Sequence, residues 1–324
     1  MITFSEAITY IERATQGIRY PEQPPMLYEP MAYLLSLKGK KVRPALALLS
    51  CNLFREKVDD AIPIALAWEI FHNFTLMHDD VMDRADIRRG QPSVHKKWNE
   101  NTAILSGDAM LILAYKYLAK SPVRHQRELL DLFSATAAEI CEGQAYDMLF
   151  ESRLDVKEEE YLHMIRLKTA VMLGAALKSG AITGGAPEKD KDLLYAFGLN
   201  LGIAFQIQDD MLDVYGDPSV FGKKIGGDIL SNKKTYLLVN ALNTKEESEK
   251  ATLLRWLQAG GHPQEEKIAA ITALYDRLLL KEKAHGKMEY YYRKAVRQLA
   301  QVNVPAGRKD VLLNLAQKLM NRNS

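Results

Sequence analysis

Apolar side chains recur at intervals of three and four residues over most of this sequence, and this spacing is its strongest constraint on the fold. Alternation of apolar and polar residues, the pattern of half-buried strands, is scarce. Because residues three and four apart share one face of an α-helix, the pattern predicts helices almost throughout. The predicted helices cover residues 4–16, 27–37, 41–54, 59–83, 101–119, 126–151, 157–182, 189–215, 233–243 and 247–258, with several more from 264 to 321.

Clusters of turn-forming residues separate these helices. Glycine, proline and other turn residues gather at 20–25, 89–92, 184–187, 216–227 and 260–263, and such clusters end helices. None of them reads as a long flexible linker. We therefore expect one all-α domain over residues 1–324, although a chain of this length can also hold two domains.

Composition restricts the partners of the chain. Its 43 basic and 41 acidic residues give a net charge of +2, so no overall field attracts nucleic acid, and any electrostatic function must be local. Cys51 and Cys141 lack the spacing of a metal or redox motif. No apolar run approaches the roughly 18 residues of a membrane span, and no signal-peptide pattern is visible. We expect a cytoplasmic protein without nucleic-acid partners or stable membrane insertion.

Two acidic segments follow long apolar helical runs. They are the first aspartate motif, Asp79, Asp80 and Asp83, and the second aspartate motif, Asp209, Asp210 and Asp213. Positions i and i+4 lie one turn apart on the same helix face, so the first and last aspartates of each motif form a carboxylate pair. Such pairs repel each other and face the negative end of the helix macrodipole unless a cation binds. Oxygen ligands without a histidine or cysteine set suit magnesium. A single motif of this kind is usually a solvated helix end, but two copies favour a metal site.

Several stretches together resemble one enzyme family, the trans-isoprenyl diphosphate synthases or polyprenyl synthetases, which include farnesyl and geranylgeranyl diphosphate synthases. Each stretch alone is a weak signal, whereas the set in this order is specific. The stretches are GKKVRP (39–44), IFHNFTLMHDDVMDRADIRRGQPSVH (70–95), GQAYDM (143–148), LKTA (167–170), FQIQDDMLDVYGD (205–217) and GKKIGGDILSNKKT (222–235).

The resemblance implies a fold, an assembly and a reaction. The fold is the isoprenoid synthase fold, a single-domain bundle of long helices around a deep central cavity, and the assembly is a homodimer. The reaction joins isopentenyl diphosphate head-to-tail to an allylic diphosphate (dimethylallyl, geranyl or farnesyl) by ionisation, condensation and elimination. Three magnesium ions per active site are expected to hold the leaving diphosphate, with the two aspartate motifs converging on it. Breaking a carbon–oxygen bond in this way requires stabilisation of the leaving group's charge.

The resemblance also implies roles for individual residues. Asp79, Asp83 and Asp209 are the expected main magnesium ligands, assisted by Asp80, Asp210 and Asp213. The expected contacts of the allylic diphosphate are Arg88, Lys168, Lys223 and Lys233, with Lys224 as an alternative to Lys223. Thr169 and Gln206 are expected to line the reaction centre. A second diphosphate site without metal, for isopentenyl diphosphate, is expected at Gly39, Lys40, Arg43, His72 and Arg89.

Phe74 is the candidate determinant of product length. It precedes Asp79 by five residues, which corresponds to about 7.5 Å along a helix. In the family, an aromatic residue at this offset goes with short products, so the resemblance implies a C15 or C20 product. Packing of Phe74 in the core is an equally good alternative to a role as the floor of the cavity.

Three other functions compete with this interpretation. A class I terpene cyclase shares the helical cavity and the first aspartate motif, but it usually carries an Asn/Asp, Ser/Thr, Glu motif where this chain has DDMLD (209–213), and it needs no second diphosphate site. A non-catalytic partner subunit tends to lose aspartates from one motif, whereas this chain keeps six. A helical scaffold with incidental acidic patches does not explain the repeated motif.

Overall fold

Helices form nearly all of the chain. The computed structural model describes residues 1–216, 225–258 and 263–320. The helices are α1 (Phe4–Gln16), α2 (Pro25–Ser36), α3 (Val42–Phe54), α4 (Ile62–Met82), α5 (Val94–Lys97), α6 (Glu100–Leu118), α7 (Val123–Glu151), α8 (Glu158–Ile165), α9 (Val171–Gly184), α10 (Glu188–Tyr215), α11 (Gly227–Leu230), α12 (Tyr236–Leu242), α13 (Glu247–Gln258), α14 (Gln264–Arg277), α15 (Leu280–Gln301) and α16 (Ala306–Met320). The prediction of an all-α fold is confirmed.

Two predicted α-helices begin later than expected. The segment predicted at 59–83 starts with a 3₁₀ turn, Asp59–Ala61, and only then becomes α4. The segment predicted at 233–243 starts at Tyr236, because the Thr235 side chain accepts a hydrogen bond from the Leu238 N–H. A threonine in this role is an N-cap, which fixes the first turn of the helix.

The predicted helix 157–182 is interrupted by a π segment, Arg166–Ala170, between α8 and α9. There the Val171 N–H donates to the Arg166 carbonyl, five residues earlier. Gly143 of α7 lies against this segment, since a Cβ at Gly143 would stand 2.7 Å from the Lys168 Cα. Short π segments inside helices are often functional, and this one carries the LKTA stretch.

The predicted break at 89–92 is a small β-hairpin. Strand β1 (Ile87–Arg88) pairs antiparallel with β2 (Gln91–Pro92). Arg89 and Gly90 form the turn with positive φ angles of 53° and 76°, the combination that suits a tight two-residue hairpin. The hairpin fixes the directions of the two arginines that follow the first aspartate motif.

The chain divides into two compact units. Unit 1 consists of residues 1–133, 175–194 and 303–312, and unit 2 of the described residues within 134–174, 195–302 and 313–324. The single domain expected from the sequence stays a prediction. Within the described ranges, no helix is long and apolar enough to span a membrane.

Aromatic side chains form the centre of the unit 1 core. The rings of Trp68 and Phe71 on α4 lie 4.6 and 5.2 Å from the ring of Phe133, and Tyr115 lies 5.0 Å from it on another side. The indole N–H of Trp68 donates to the Ser179 hydroxyl at 3.0 Å, so its polar atom is satisfied. Burying each such ring contributes about 1.5–3 kcal/mol. This packing fixes α4 and therefore the aspartates at its end.

The unit 2 core fixes α10 in the same way. Ile203, Ala204 and Ile207 of α10 are buried with residues from α8, α12 and α14. The rings of Tyr161 on α8 and Tyr236 on α12 pack edge to face with centroids 5.9 Å apart. The second aspartate motif therefore lies on a helix that is anchored in apolar packing.

Candidate active site

The first aspartate motif in unit 1 presents two carboxylates at the end of α4. Asp83 is the C-cap residue and keeps helical backbone angles (φ −82°, ψ −4°), and its N–H donates to the Asp79 carbonyl at 2.8 Å. The two residues thus lie one helical turn apart, as the sequence predicts. Asp79 is partly exposed and Asp83 is exposed, so both are accessible to a cation from solvent.

Asp80, the middle aspartate, is in a different environment. It is only 1% exposed. Its carboxylate accepts hydrogen bonds from Arg88 Nε at 3.0 and 3.2 Å and a further one from Arg88 Nη2. Such a bidentate pair is a strong, directional interaction. The structure thus pairs Asp80, a predicted assisting metal ligand, with Arg88, a predicted diphosphate contact. Both roles stay predictions.

A cationic cluster in unit 1 brings together four of the five residues expected to bind isopentenyl diphosphate. We define it as Gly39, Arg43, His72 and Arg89. Arg43 Nη1 donates to His72 Nε2 at 3.1 Å. A Cβ at Gly39 would stand 2.7 Å from the Arg89 Cζ, so only glycine lets the guanidinium lie against this backbone. Lys40, the fifth residue, is an exposed neighbour of Gly39.

The cationic cluster is half-buried and rich in positive charge. Burial, and then the charges of Arg43, Arg89 and Arg88, lower the pKa of His72 well below its ordinary value. His72 is therefore neutral at neutral pH. Burial also lowers the pKa of Arg43 to about 10. The buried Arg43 Nε has no hydrogen-bond partner within the described part of the chain, so this cluster suits an anion that supplies acceptors.

Asp210, in the second aspartate motif, is bound inside unit 2. It is buried and accepts hydrogen bonds from the Tyr161 hydroxyl at 2.5 Å, the Tyr236 N–H at 2.7 Å and Gln206 Nε2 at 3.1 Å. Burial, and then the charge of Asp228, raise the pKa of Asp210 to about 7, against the effect of its donors. Both carboxylate oxygens of Asp210 thus accept hydrogen bonds from protein groups. This arrangement favours a structural role for Asp210 over direct metal binding.

Asp209 and Asp213 flank this buried carboxylate on α10. Asp209 is partly exposed. Asp213 is buried and accepts from the Asp228 N–H at 2.9 Å, so it binds the first turn of α11. Lys233 follows α11, with its ammonium 3.9 Å from the Asp228 carboxylate. Of the three aspartates in this motif, Asp209 is the most accessible to a metal.

The π segment of unit 2 carries Lys168 and Thr169. Lys168 Nζ donates to the Asp147 carboxylate at 2.5 Å, and the Thr169 hydroxyl donates to Gln206 Oε1 at 3.1 Å. Thr169 and Gln206 are therefore brought together, as expected for residues of one reaction centre. Lys223 and its alternative Lys224 lie outside the described residues.

Sequence reasoning missed Asp147, Tyr161 and Asp228 as partners of these residues. Asp147 lies inside the GQAYDM stretch and Asp228 inside GKKIGGDILSNKKT, so both were available as candidates. Tyr161 has no local signal, because its partner Asp210 is 49 residues away.

Phe74 lies on α4 between two other rings. Its centroid is 5.5 Å from that of Phe71 and 4.8 Å from that of His78. His78 itself contacts the Ile104 carbonyl at 3.0 Å. The side chain is half-buried, and its role as the floor of the cavity stays a prediction.

The polyprenyl synthetase family model matches residues 24–275. The chain belongs to the polyprenyl synthetase family. A short chain isoprenyl diphosphate synthase of Methanothermobacter thermautotrophicus is 38% identical, with 97% of this chain and 96% of that protein covered. A geranylgeranyl diphosphate synthase of Methanosarcina mazei is 37% identical, covering 96% and 92%.

Solved structures of polyprenyl synthetases share the fold of the whole chain. A crystal structure of a geranylgeranyl pyrophosphate synthase superposes with a TM-score of 0.94 at 40% identity, and all of both chains are covered. A geranylgeranyl pyrophosphate synthetase from Pyrococcus horikoshii gives 0.85 at 31% identity, covering 98% and 96%. The predictions of the family, the isoprenoid synthase fold and the trans-prenyltransferase class are confirmed.

The donor set in each unit fits magnesium that is shared with a substrate. Among residues 1–216, 225–258 and 263–320, no three histidine, cysteine or acidic side chains form a ready-made metal site. The accessible donors are carboxylates, Asp79 with Asp83 in one motif and Asp209 in the other. Magnesium commonly binds to one or two carboxylates and completes its coordination with water and phosphate oxygens.

Proposed function

We propose that this polyprenyl synthetase condenses isopentenyl diphosphate head-to-tail with an allylic diphosphate to give a C20 trans-polyprenyl diphosphate. The observation that carries this proposal is the cationic cluster, in which Arg43 has a buried donor without a partner in the described ranges beside a neutral His72. A terpene cyclase has no use for a second, metal-free diphosphate site. The C20 product is supported by relatives named geranylgeranyl diphosphate synthases.

The aspartate motifs are the proposed magnesium site. Asp79 and Asp83 would bind metal from the first motif and Asp209 from the second, with three ions per active site. When bound by these carboxylates, magnesium would supply positive charge to the departing diphosphate. Asp80 and Asp210 hold Arg88 and Tyr161 in place. That both motifs act on one diphosphate stays a prediction.

Lysine and arginine side chains would bind the diphosphate oxygens left uncovered by metal. Lys168 is already oriented by Asp147, and Arg88 by Asp80. Lys233 and Lys223 would complete this set. Fixed cations of this kind stabilise charge on a leaving group without reorganisation at the moment of reaction. Thr169 and Gln206, joined by a hydrogen bond, would present polar atoms to the allylic cation.

The direct test is a prenyl transfer assay. Purified protein is incubated with magnesium, radiolabelled isopentenyl diphosphate and dimethylallyl, geranyl or farnesyl diphosphate in turn. Chain elongation to C20 supports the proposal. A cyclised hydrocarbon formed without uptake of the label would identify a terpene cyclase, and no turnover with any starter would identify a non-catalytic subunit.

Phe74→Ala is expected to lengthen the product by one or more five-carbon units. If the Phe74 ring ends the cavity, its removal opens space below the metal ligands for a longer chain. Product lengths of the wild type and the variant, compared after extraction, measure the change. Phe71→Leu is the matched control, because Phe71 packs against Phe74 but is itself buried in the core. This control should leave the product length unchanged. An unchanged length in Phe74→Ala would assign Phe74 to core packing.

We also propose a homodimer formed through α6. Leu105 and Ile112 are 58% and 59% exposed and lie two turns apart on one face of the helix. Exposed apolar stripes of this kind mark interfaces. The free state of both cysteines supports a cytoplasmic location for this dimer, because proteins of oxidising compartments usually form disulfides.

Leu105→Glu is expected to convert the dimer into monomers of 36.6 kDa, because it places a charge in an apolar contact. Light scattering after size-exclusion chromatography measures the mass. Tyr290→Glu on α15, at a similarly exposed position, is the control and should stay dimeric. A wild type of monomer mass would refute the assembly.

A further inference from the structure

Three residues outside the predicted site form a polar network beneath the cationic cluster. Glu69 on α4 is 2% exposed. Its carboxylate lies 3.4 Å from Lys41 Nζ and accepts from Asn73 Nδ2 at 3.1 Å. The same Asn73 Nδ2 donates to the Glu69 carbonyl at 2.7 Å. The Asn73 amide is therefore held in one orientation, with its oxygen pointing away from Glu69.

That oxygen faces Arg89. Arg89 Nη1 donates to Asn73 Oδ1 at 3.3 Å and also to the Leu37 carbonyl at 3.3 Å. The guanidinium lies against Gly39, so it is fixed from three sides. Arg89 and Lys41 both have left-handed backbone angles, with φ of 53° and 46°. Non-glycine residues keep such angles only where their surroundings enforce them.

Glu69 also balances the charge of this region. Lys41, Arg43 and Arg89 are cationic. Burial lowers the pKa values of Arg43 and Arg89, and the carboxylate of Glu69 opposes this effect. A buried cation without a counter-charge is costly. One carboxylate beneath three cations stabilises the folded cluster and leaves a positive excess for an anion.

We propose that Asn73, oriented by Glu69, is a positioning residue that holds the Arg89 guanidinium ready for the metal-free diphosphate. Glu69 fixes the amide, the amide oxygen fixes Arg89, and Gly39 leaves room for the planar group. A guanidinium held in advance loses less freedom when a diphosphate binds. This inference rests on the proposed function, because it assigns the cluster to isopentenyl diphosphate.

Asn73→Ala is the first test. The variant loses one hydrogen bond to a charged group, and we expect its KM for isopentenyl diphosphate to rise roughly tenfold. Its kcat and its KM for the allylic diphosphate should stay within about twofold of the wild-type values. Asn200→Ala is the matched control, because Asn200 is also buried and makes the same bond to the carbonyl four residues earlier, at 2.7 Å. It should leave the KM for isopentenyl diphosphate unchanged.

A double-mutant cycle separates positioning from a general loss of structure. If Asn73 acts through Arg89, adding Asn73→Ala to Arg89→Ala raises the KM for isopentenyl diphosphate no further. Independent, additive effects of the two substitutions would overturn the proposal. Asn73→Ser, which is smaller but still polar, replaces Asn73→Ala in the cycle if the alanine variant does not fold.

A binding measurement keeps the inference separate from the proposed function. Inorganic pyrophosphate is titrated by calorimetry, without magnesium, into the wild type, Asn73→Ala and Asn200→Ala. Weaker binding to Asn73→Ala alone supports positioning of Arg89 even if the wild type shows no prenyl transfer. Equal binding to all three proteins would overturn the inference and leave the proposed function to its own assay.

Discussion

Asp79→Asn is expected to lower kcat/KM for prenyl transfer by roughly two to three orders of magnitude, the size of effect expected when a preorganised group that stabilises transition-state charge is removed. The amide keeps the size of the side chain but loses the charge that binds magnesium. Asp79 and Asp83 lie one turn apart at the C-terminus of α4, where the helix macrodipole disfavours anions. The unfolding temperature should therefore stay equal or rise slightly.

Steady-state rates over a range of magnesium concentrations measure this effect. Higher magnesium should restore part of the activity, since the variant binds the metal more weakly. Asp131→Asn on α7 is the control, because it makes the same change at an exposed aspartate paired with Arg127, and its activity should match the wild type. Wild-type activity in Asp79→Asn would exclude this carboxylate as a metal ligand.

Asp210→Ala is expected to destabilise the fold by about 2–5 kcal/mol, since each buried donor left without a partner costs about 1–3 kcal/mol. The substitution removes the acceptor of the Tyr161 hydroxyl and of the Tyr236 N–H, and both residues are buried. It thereby loosens the contact of α10 with α8 and α12. Urea unfolding followed by circular dichroism measures the change in the free energy of unfolding.

Asp209→Ala, one residue earlier, serves as the comparison. Asp209 is partly exposed, so its removal should abolish activity while the free energy of unfolding stays near that of the wild type. The two neighbouring aspartates would then have separate roles. If Asp210→Ala unfolds at the wild-type urea concentration yet loses activity, its role is in metal binding and the hydrogen bonds of its carboxylate contribute little to stability.

Most of the fold was predictable because long helices have a strong local signal. The end of α10 at Tyr215 and both ends of α1 fall where the spacing of apolar residues placed them. The π segment was not predictable, since residues 157–182 continue the helical spacing across it. The start of α12 was missed because Thr235 was not recognised as an N-cap.

The sequence predicts which residues belong to the candidate site, but it does not predict how their side chains pair. The i, i+4 relation of Asp79 and Asp83 follows from helix geometry alone. By contrast, the role of each middle aspartate depends on contacts distant in sequence, such as that between Asp210 and Tyr161. No local pattern encodes such a contact. The observed partners of Asp80 and Asp210 are protein groups, including the backbone N–H of Tyr236, and the predicted help of both aspartates in metal binding stays a prediction.

The extra residue in the π segment sets regular helix geometry against the position of Lys168, a predicted diphosphate contact. An added residue turns the helix by about 100°. The side chains that follow Ala170 on α9 therefore point in a different direction from that expected if α8, which carries Tyr161, continued without interruption. Deleting one residue between Arg166 and Ala170 would restore regular hydrogen bonding, yet it would rotate Lys168 away from Asp147. Selection for a more thermostable variant would therefore tend to remove the very irregularity that orients this lysine.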